Sequence, residues 1–260
     1  MDLTNEAHLN ILIEKHSKFY DAFSGYKVTP HGALHLYKTV YFTQISFSLP
    51  TTSLKSSEIQ SLQSKVISSL LRKLKLPPTF PRALVFSSHT RLALDVPDFE
   101  FTQGLQKVEK LIAHMRMGTS VGTLLEIVIE WYQIMSGTQE QVLKDTAPLD
   151  YVYCPWITSL REFLRKTGTH LIILEMWKPQ PRREHDECSM ENVRQSPYLD
   201  LELINAVRIH LQILYVSDIT SHDGNHIINV IKKDQMQETG RTSLLPWPYQ
   251  PSPGLEAWKE

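Results

Sequence analysis

The stretch 53–75, SLKSSEIQSLQSKVISSLLRKLK, brings Ile59, Leu62, Val66, Leu70 and Leu74 round at intervals of three and four residues. That period follows the turn of an α-helix, so one apolar stripe is buried and the opposite side is wet. Lys65, Arg72, Lys73 and Lys75 fall toward the polar side and the last turn, where a cation also suits the helix dipole. Pro77-Pro78 and Pro81 then impose an extended connection.

The same period recurs on both sides. Over 3–24, Leu9, Ile13, His16, Phe19 or Tyr20 and Phe23 form an amphipathic pattern that Ser24-Gly25 ends. Thr29-Pro30 reads as a helix start, a capping hydroxyl before a proline in the first turn, and the helix runs to about Ser46 before Leu49-Pro50. Further helices are predicted over 99–116 and 119–136, the second with Leu124, Val128, Trp131, Tyr132 and Met135 inward. Two more run from Pro155 to Gly168 and over 198–212, the latter with Leu199, Leu203, Val207 and Leu211 on one face. Strand character is predicted at 83–86, at 170–176 and at 226–231. The expected architecture is mainly α: a helical N-terminal domain, 1–147, then a smaller α+β domain, 148–260, with about two or three short strands and a proline-rich tail. Thr146-Ala147-Pro148 marks the joint.

Charge is unevenly placed. Residues 1–118 hold 14 Lys or Arg against 9 Asp or Glu, and residues 119–260 hold 13 against 19. The basic half suits a polyanion, although two solvated surfaces that happen to differ in charge are the favoured account on charge alone. Cys154 and Cys188 are too few for a disulfide framework or a closed thiolate metal site, so a reducing compartment is expected. Met1-Asp2 does not open a basic and then apolar leader, and the apolar run 121–135 is interrupted by Glu126 and Glu130. The expectation is an intracellular protein, in cytoplasm or nucleus, with no membrane partner.

Catalytic signatures are missing. The sequence lacks a phosphate-binding glycine loop, a Gly-x-Ser-x-Gly elbow, kinase motifs and the Tyr-x-Asp-Asp turn of a nucleotide polymerase. His31 and His35 stand one helical turn apart, but Gly32 occupies the place where a zinc peptidase needs its glutamate, so no metal is expected. His222, Asp223 and His226 could seat a metal hydrolase, yet Asp223-Gly224 reads more simply as a turn. Nothing in the sequence activates Cys154, and Glu126 with Glu130 reads as the wet side of a helix. Arg182-Arg183, after Pro179-Gln180-Pro181, can fork onto phosphate oxygens or onto a carboxylate such as Asp186.

Several short motifs follow one another in a fixed order. They are Ile45–Leu54, Pro81–Phe86, Gln103-Gly104, Leu111–Arg116, Gly122–Glu126, Ser136-Gly137-Thr138, Trp156-Ile157 and Leu160–Leu164. Pro181–Asp186, Leu214–Thr220, His222–Gly224 and Leu245–Gln250 with Pro253 continue the series. In that order they resemble the region after the polymerase palm in reverse-transcriptase-like open reading frames of retrotransposons. The resemblance runs from about Phe23 to the end. Ser87–Leu92 departs from it, standing where a glycine-rich motif is expected, and Leu255–Glu260 begins a helical pattern that stops, as in a gene fragment.

The resemblance implies a thumb and connection portion without the catalytic palm, hence no enzymatic activity and no cofactor. Its partners would be an RNA or DNA duplex, held by phosphate contacts, and the polymerase part of a parent protein. The residues expected to touch phosphate are Lys65, Arg72, Lys73, Lys75, Arg82, Arg182 and Arg183. The rival expectation is a helical protein-interaction scaffold that uses the acidic half and Trp247, Tyr249 and Trp258.

Overall fold

Leu12, His16 and Phe23 turn inward from the first helix, α1 (Glu6–Gly25), and the rest of the N-terminal core assembles on them. The computed structural model describes residues 6–91, 93–174, 181, 183–196 and 198–220. Two compact units emerge, one within Met1–Met117 and Thr158–Phe163, the other within Gly118–Ile157 and Leu164–Glu260. The described residues are mainly helical and contain no strand; an isolated antiparallel bridge joins Cys188 and Tyr215.

In the first unit, Thr29 caps α2 (Pro30–Leu36) by accepting the Gly32 N–H at 3.1 Å. The helix then widens into a π-turn (Tyr37–Tyr41) before resuming as α3 (Phe42–Ser46). Tyr37, Tyr41 and Ile45, four residues apart, are all fully buried. A wider turn lets a four-residue spacing stay on one side, where a regular α-helix would let it drift. Helix α4 (Ser56–Lys73) packs against α1, α2 and α6 (Phe99–Arg116). It buries Ile59, Leu62, Val66 and Leu70, the stripe predicted from periodicity. Glu58 closes its start by accepting the Lys55 N–H at 2.7 Å.

Polar groups inside this core are matched. The Tyr41 hydroxyl donates to the Leu62 carbonyl, and having a single proton it must accept from His16 Nδ1 at 2.8 Å. Gln63 donates to the Pro97 carbonyl at 2.9 Å and to the Tyr37 hydroxyl at 3.2 Å, which fixes the entry to α6. Phe163, in the segment Thr158–Phe163, lies against Gly104 of α6 so closely that a methyl group there would overlap its ring.

The second unit contains α7 (Ser120–Ser136), most of α8 (Pro155–Thr167), the short α9 (Met190–Val193) and α10 (Leu201–His210). Gly137 and Gly168 stop α7 and α8 at φ of 61° and 64°. Gly137 is also crowded: an added Cβ would come within 2.9 Å of Met190 and Arg208.

Several expectations are corrected. Residues 82–86 form helix α5 (Arg82–Phe86), not an extended piece; residues 94–96 fold back to donate to Leu84, Ser87 and Val85 carbonyls. Four apolar residues are too few for periodicity to separate helix from strand. Of the segment predicted at 170–176, residues 170–174 are described and are not a strand: Leu171 N–H donates to the Leu143 carbonyl, and the side-chain amide of Gln141 accepts from Ile173 N and donates to Ile173 O. The α+β expectation for the C-terminal portion thus gains no strand here, and the strand expected at 226–231 lies outside the described residues, as does the tail. Ile13, Leu124, Val128, Leu199 and Leu203 are exposed rather than inward. On α7 the buried face is Ile129, Tyr132, Gln133 and Ser136; the helix is apolar on more than one side, so its pattern does not choose a face.

Gly104→Ala is expected to destabilise the protein in urea melts. Overpacking against Phe163 costs about 1–3 kcal/mol, more than the gain of at most about 1 kcal/mol from removing a helical glycine. Burial, aided by the nearby Lys65 charge, holds the His16 pKa below its ordinary 6.5. The unfolded chain therefore takes a proton that the folded chain refuses. Stability should be full above 6.5 and fall as pH drops below it, with a shallower decline in His16→Gln.

Candidate nucleic-acid interface

Near the end of α4 lie the five basic residues of the first unit that the sequence singled out: Lys65, Arg72, Lys73, Lys75 and Arg82. Lys65, Ser68 and Arg72 follow one another along one side of the helix, and Lys65 and Arg72 are exposed. Arg72 Nε donates to the Ser68 carbonyl at 3.4 Å, and the exposed Arg82, at the first position of α5, reaches the Ser68 hydroxyl at 3.5 Å. Two guanidinium groups therefore share Ser68 as a support, although 14 positions separate Ser68 from Arg82 in the chain. Lys73 is used differently. Its Nζ donates to the Tyr26 carbonyl at 2.8 Å and stands 5.1 Å from the centroid of the Phe23 ring, tying the end of α1 to α4. Lys75 holds the left-handed position after the helix, φ 62°, where glycine is usual. Its N–H bonds to Arg72 O and the Leu76 N–H to Leu71 O, closing a Schellman end with an exposed ammonium.

Arg183 belongs to the other unit and is turned toward protein. Its guanidinium donates to the Thr220 hydroxyl at 2.8 Å and lies 3.6 Å from Asp186. Asp186 in turn accepts the Ser217 N–H at 3.1 Å, and Asp218 accepts the N–H groups of Leu214 and Tyr215. The motifs 181–186 and 214–220 are thus halves of one polar knot, with Val216 N–H on Glu187 O as a further stitch. Of the two openings the sequence left to Arg183, the carboxylate partner is the one in place. Arg182, His222, Asp223, His226, Trp247, Tyr249 and Trp258 lie outside the described residues.

Two buried cations, Arg208 and Lys107, and a half-buried one, Arg194, escaped the sequence reading. Arg208 is fully buried on α10, with its guanidinium donating to the carbonyls of Ile134, Met135 and Ile213 and to Asn205 Oδ1 at 2.8–3.0 Å. It caps the open end of α7 at Gly137, and burial lowers its pKa to about 10, so it stays charged at neutral pH. Arg194 bridges Asp145 at 2.9 Å and Glu191 at 2.7 Å; burial works against its charge, but the two carboxylates outweigh it and raise its pKa. Lys107, fully buried on α6, donates to the hydroxyls of Ser53 and Ser159. None of these has a local signal, since a basic residue on a helix reads as solvated until the chain elsewhere is placed over it.

Among the described residues no group of three or more His, Cys, Asp or Glu is placed to hold a metal. His31 and His35 are exposed on α2, and Cys154 and Cys188 are free thiols, the latter donating to Gln139 Oε1. No helix among the described residues is long and apolar enough to cross a membrane. Comparison of the chain with family models, with curated proteins and with solved structures finds no match in any of the three.

Replacing Arg208 with Met is expected to cost about 3–5 kcal/mol in denaturant unfolding, because three carbonyls and Asn205 lose a buried cationic partner. Arg208→Lys should recover little, since one ammonium cannot reproduce the planar fork.

Proposed function

We propose that this chain is the thumb-and-connection portion of a retroelement reverse-transcriptase-like protein. In this reading it carries no polymerase chemistry, works inside the cell and steadies a nucleic-acid duplex through phosphate contacts. The α+β character of its C-terminal portion would come from 226–231, outside the described residues. The mainly helical fold is compatible with a thumb. The observation that carries the binding reading is the meeting of Arg72 and Arg82 at Ser68, with exposed Lys65 on the same helix.

Guanidinium groups that meet on one serine suit phosphate oxygens, which accept bidentate bonds without revealing base identity. Lys75 adds a charge at the same helix end. Lys73 contributes by holding the α1 end in place, and Arg183 through the knot that supports its own unit.

A second reading, the helical protein-interaction scaffold, is favoured by the apolar side that α7 exposes: Val121, Leu124, Ile127 and Val128. Fluorescence anisotropy with labelled duplexes of unrelated sequence separates the two. The phosphate reading expects binding that weakens with salt at a log–log slope of about −0.9 per phosphate engaged, and a slope shallower by about two such contacts in Arg72→Glu/Arg82→Glu. A folded protein with no duplex affinity even at low salt would remove the binding part of the proposal. Partner binding that survives Lys73→Glu/Lys75→Glu would favour the scaffold.

A further inference from the structure

A groove of about 750 Å³ opens in the first unit, and its lining combines aromatic and charged groups. Phe42, Phe86 and Phe101 supply its apolar walls, and Lys38, Asp95 and Asp98 its charges. Size and lining fall in the range of small-molecule sites.

The charges in it are unequally matched. Asp95, at φ 52°, is already engaged: its Oδ2 lies 3.1 Å from Lys38 Nζ and 3.7 Å from His89 Nε2. Asp98 has no such partner among the described residues. Its Oδ1 accepts the Glu100 N–H at 3.0 Å as the cap of α6, and no basic side chain forms an ion pair with it. Burial raises its pKa; the bond from Glu100 N–H works against this, and the Glu100 charge adds to the rise. Asp98 is a half-buried carboxylate that shares its groove with three phenylalanines; the start of α6 compensates it in part, and no cationic side chain does, so it keeps negative charge to offer a ligand. The start of α6 opposes a bound cation with roughly half an elementary charge, which the full charge of Asp98 outweighs.

We infer that this groove binds a small organic cation, an ammonium or guanidinium group on an apolar or aromatic stem, with its head on Asp98 and its body against Phe42, Phe86 and Phe101. The carboxylate supplies direction and the rings supply desolvation and cation–π attraction. Anions are disfavoured by the same lining, so this site is separate in chemistry from the basic end of α4 and stands whether or not that end binds phosphate.

Amide NMR titration with phenethylammonium chloride tests it on the full chain. Saturable shifts at Phe101 and Thr102 are expected, with the uncharged analogue phenethyl alcohol binding at least about tenfold more weakly. Asp98→Asn keeps a good helix cap and should weaken phenethylammonium binding by about tenfold or more. Phe101→Ala should weaken it as well. Lys38→Met should tighten it, because Asp95 is then released to the ligand. Affinity of the unsubstituted protein should fall as acid protonates Asp98, and this fall should flatten in Asp98→Asn; Tyr37, Lys38, His89, Asp95 and Glu100 are the other titratable groups at the groove or facing Asp98. Folding of each variant is checked by circular dichroism. No saturable shift in the folded protein up to about 10 mM probe, equal affinity for the alcohol, or unchanged binding in Asp98→Asn would each overturn the inference.

Discussion

One side chain, Tyr41, holds the first unit to a single arrangement. Its ring stacks on Phe19 of α1 at 4.7 Å between centroids and meets Phe99 of α6 at 5.6 Å. Its hydroxyl joins a carbonyl of α4 to His16 of α1. Tyr37, one turn earlier, repeats the arrangement with Gln63 and the Pro97 carbonyl. Burying a phenol is favourable only when its oxygen finds a partner. Both oxygens find theirs on α4 or at the entry to α6, so register and depth of the helices are set together. Burial raises both phenol pKa values, keeping them neutral donors at physiological pH. The π-turn is what brings the two rings and Ile45 onto one side.

The second unit has an apolar core of its own, with Ile129, Tyr132, Leu143, Val207 and Ile213 buried, and charged groups close its helix end and loops. Arg208 closes the last turn of α7 by donating to the Ile134 and Met135 carbonyls, the first of which it shares with the Gly137 N–H. Gly137 leaves the room that this guanidinium needs. Gln133 continues the same logic: its amide donates to the Thr138 and Glu140 carbonyls while its oxygen accepts Val142 N–H. The knot of Arg183, Asp186, Ser217, Asp218 and Thr220 does for the loops what Arg208 does for the helix end. Motifs that looked like candidate chemistry are here the groups that let loop backbone be buried.

This bears on function. Residues remote in sequence have been spent on satisfying backbone in the second unit, whereas the basic end of α4 keeps exposed charges and the groove beside α6 keeps a half-buried carboxylate without a cationic partner among the described residues. Those two places differ in sign and in the company they keep: guanidinium groups over a serine in one, a carboxylate among phenylalanines in the other. They are the positions where a ligand, rather than the fold, has something to gain.

Long helices were legible from period alone. The stretch 53–75, the Thr29-Pro30 start, the Met117-Gly118 break and the Gly168 stop all stand as read, because apolar spacing, capping hydroxyls and positive-φ glycines act within a few residues. The cluster at the end of α4 was legible in part: Lys65, Arg72, Lys73 and Lys75 are neighbours in sequence. That Arg82 joins Arg72 at Ser68, while Lys73 turns to Tyr26, was not. Short pieces misled where a tertiary partner replaced the expected one, as when a Gln141 amide stands in for a strand beside Ile173. Arg208 and Lys107 carried no sequence signal, and nothing in the sequence placed Asp98 in one groove with Phe42, Phe86 and Phe101. Local turns and periods are decided by a residue and its near neighbours; burial of a charge, and what satisfies it, is decided only when distant parts of the chain close over it.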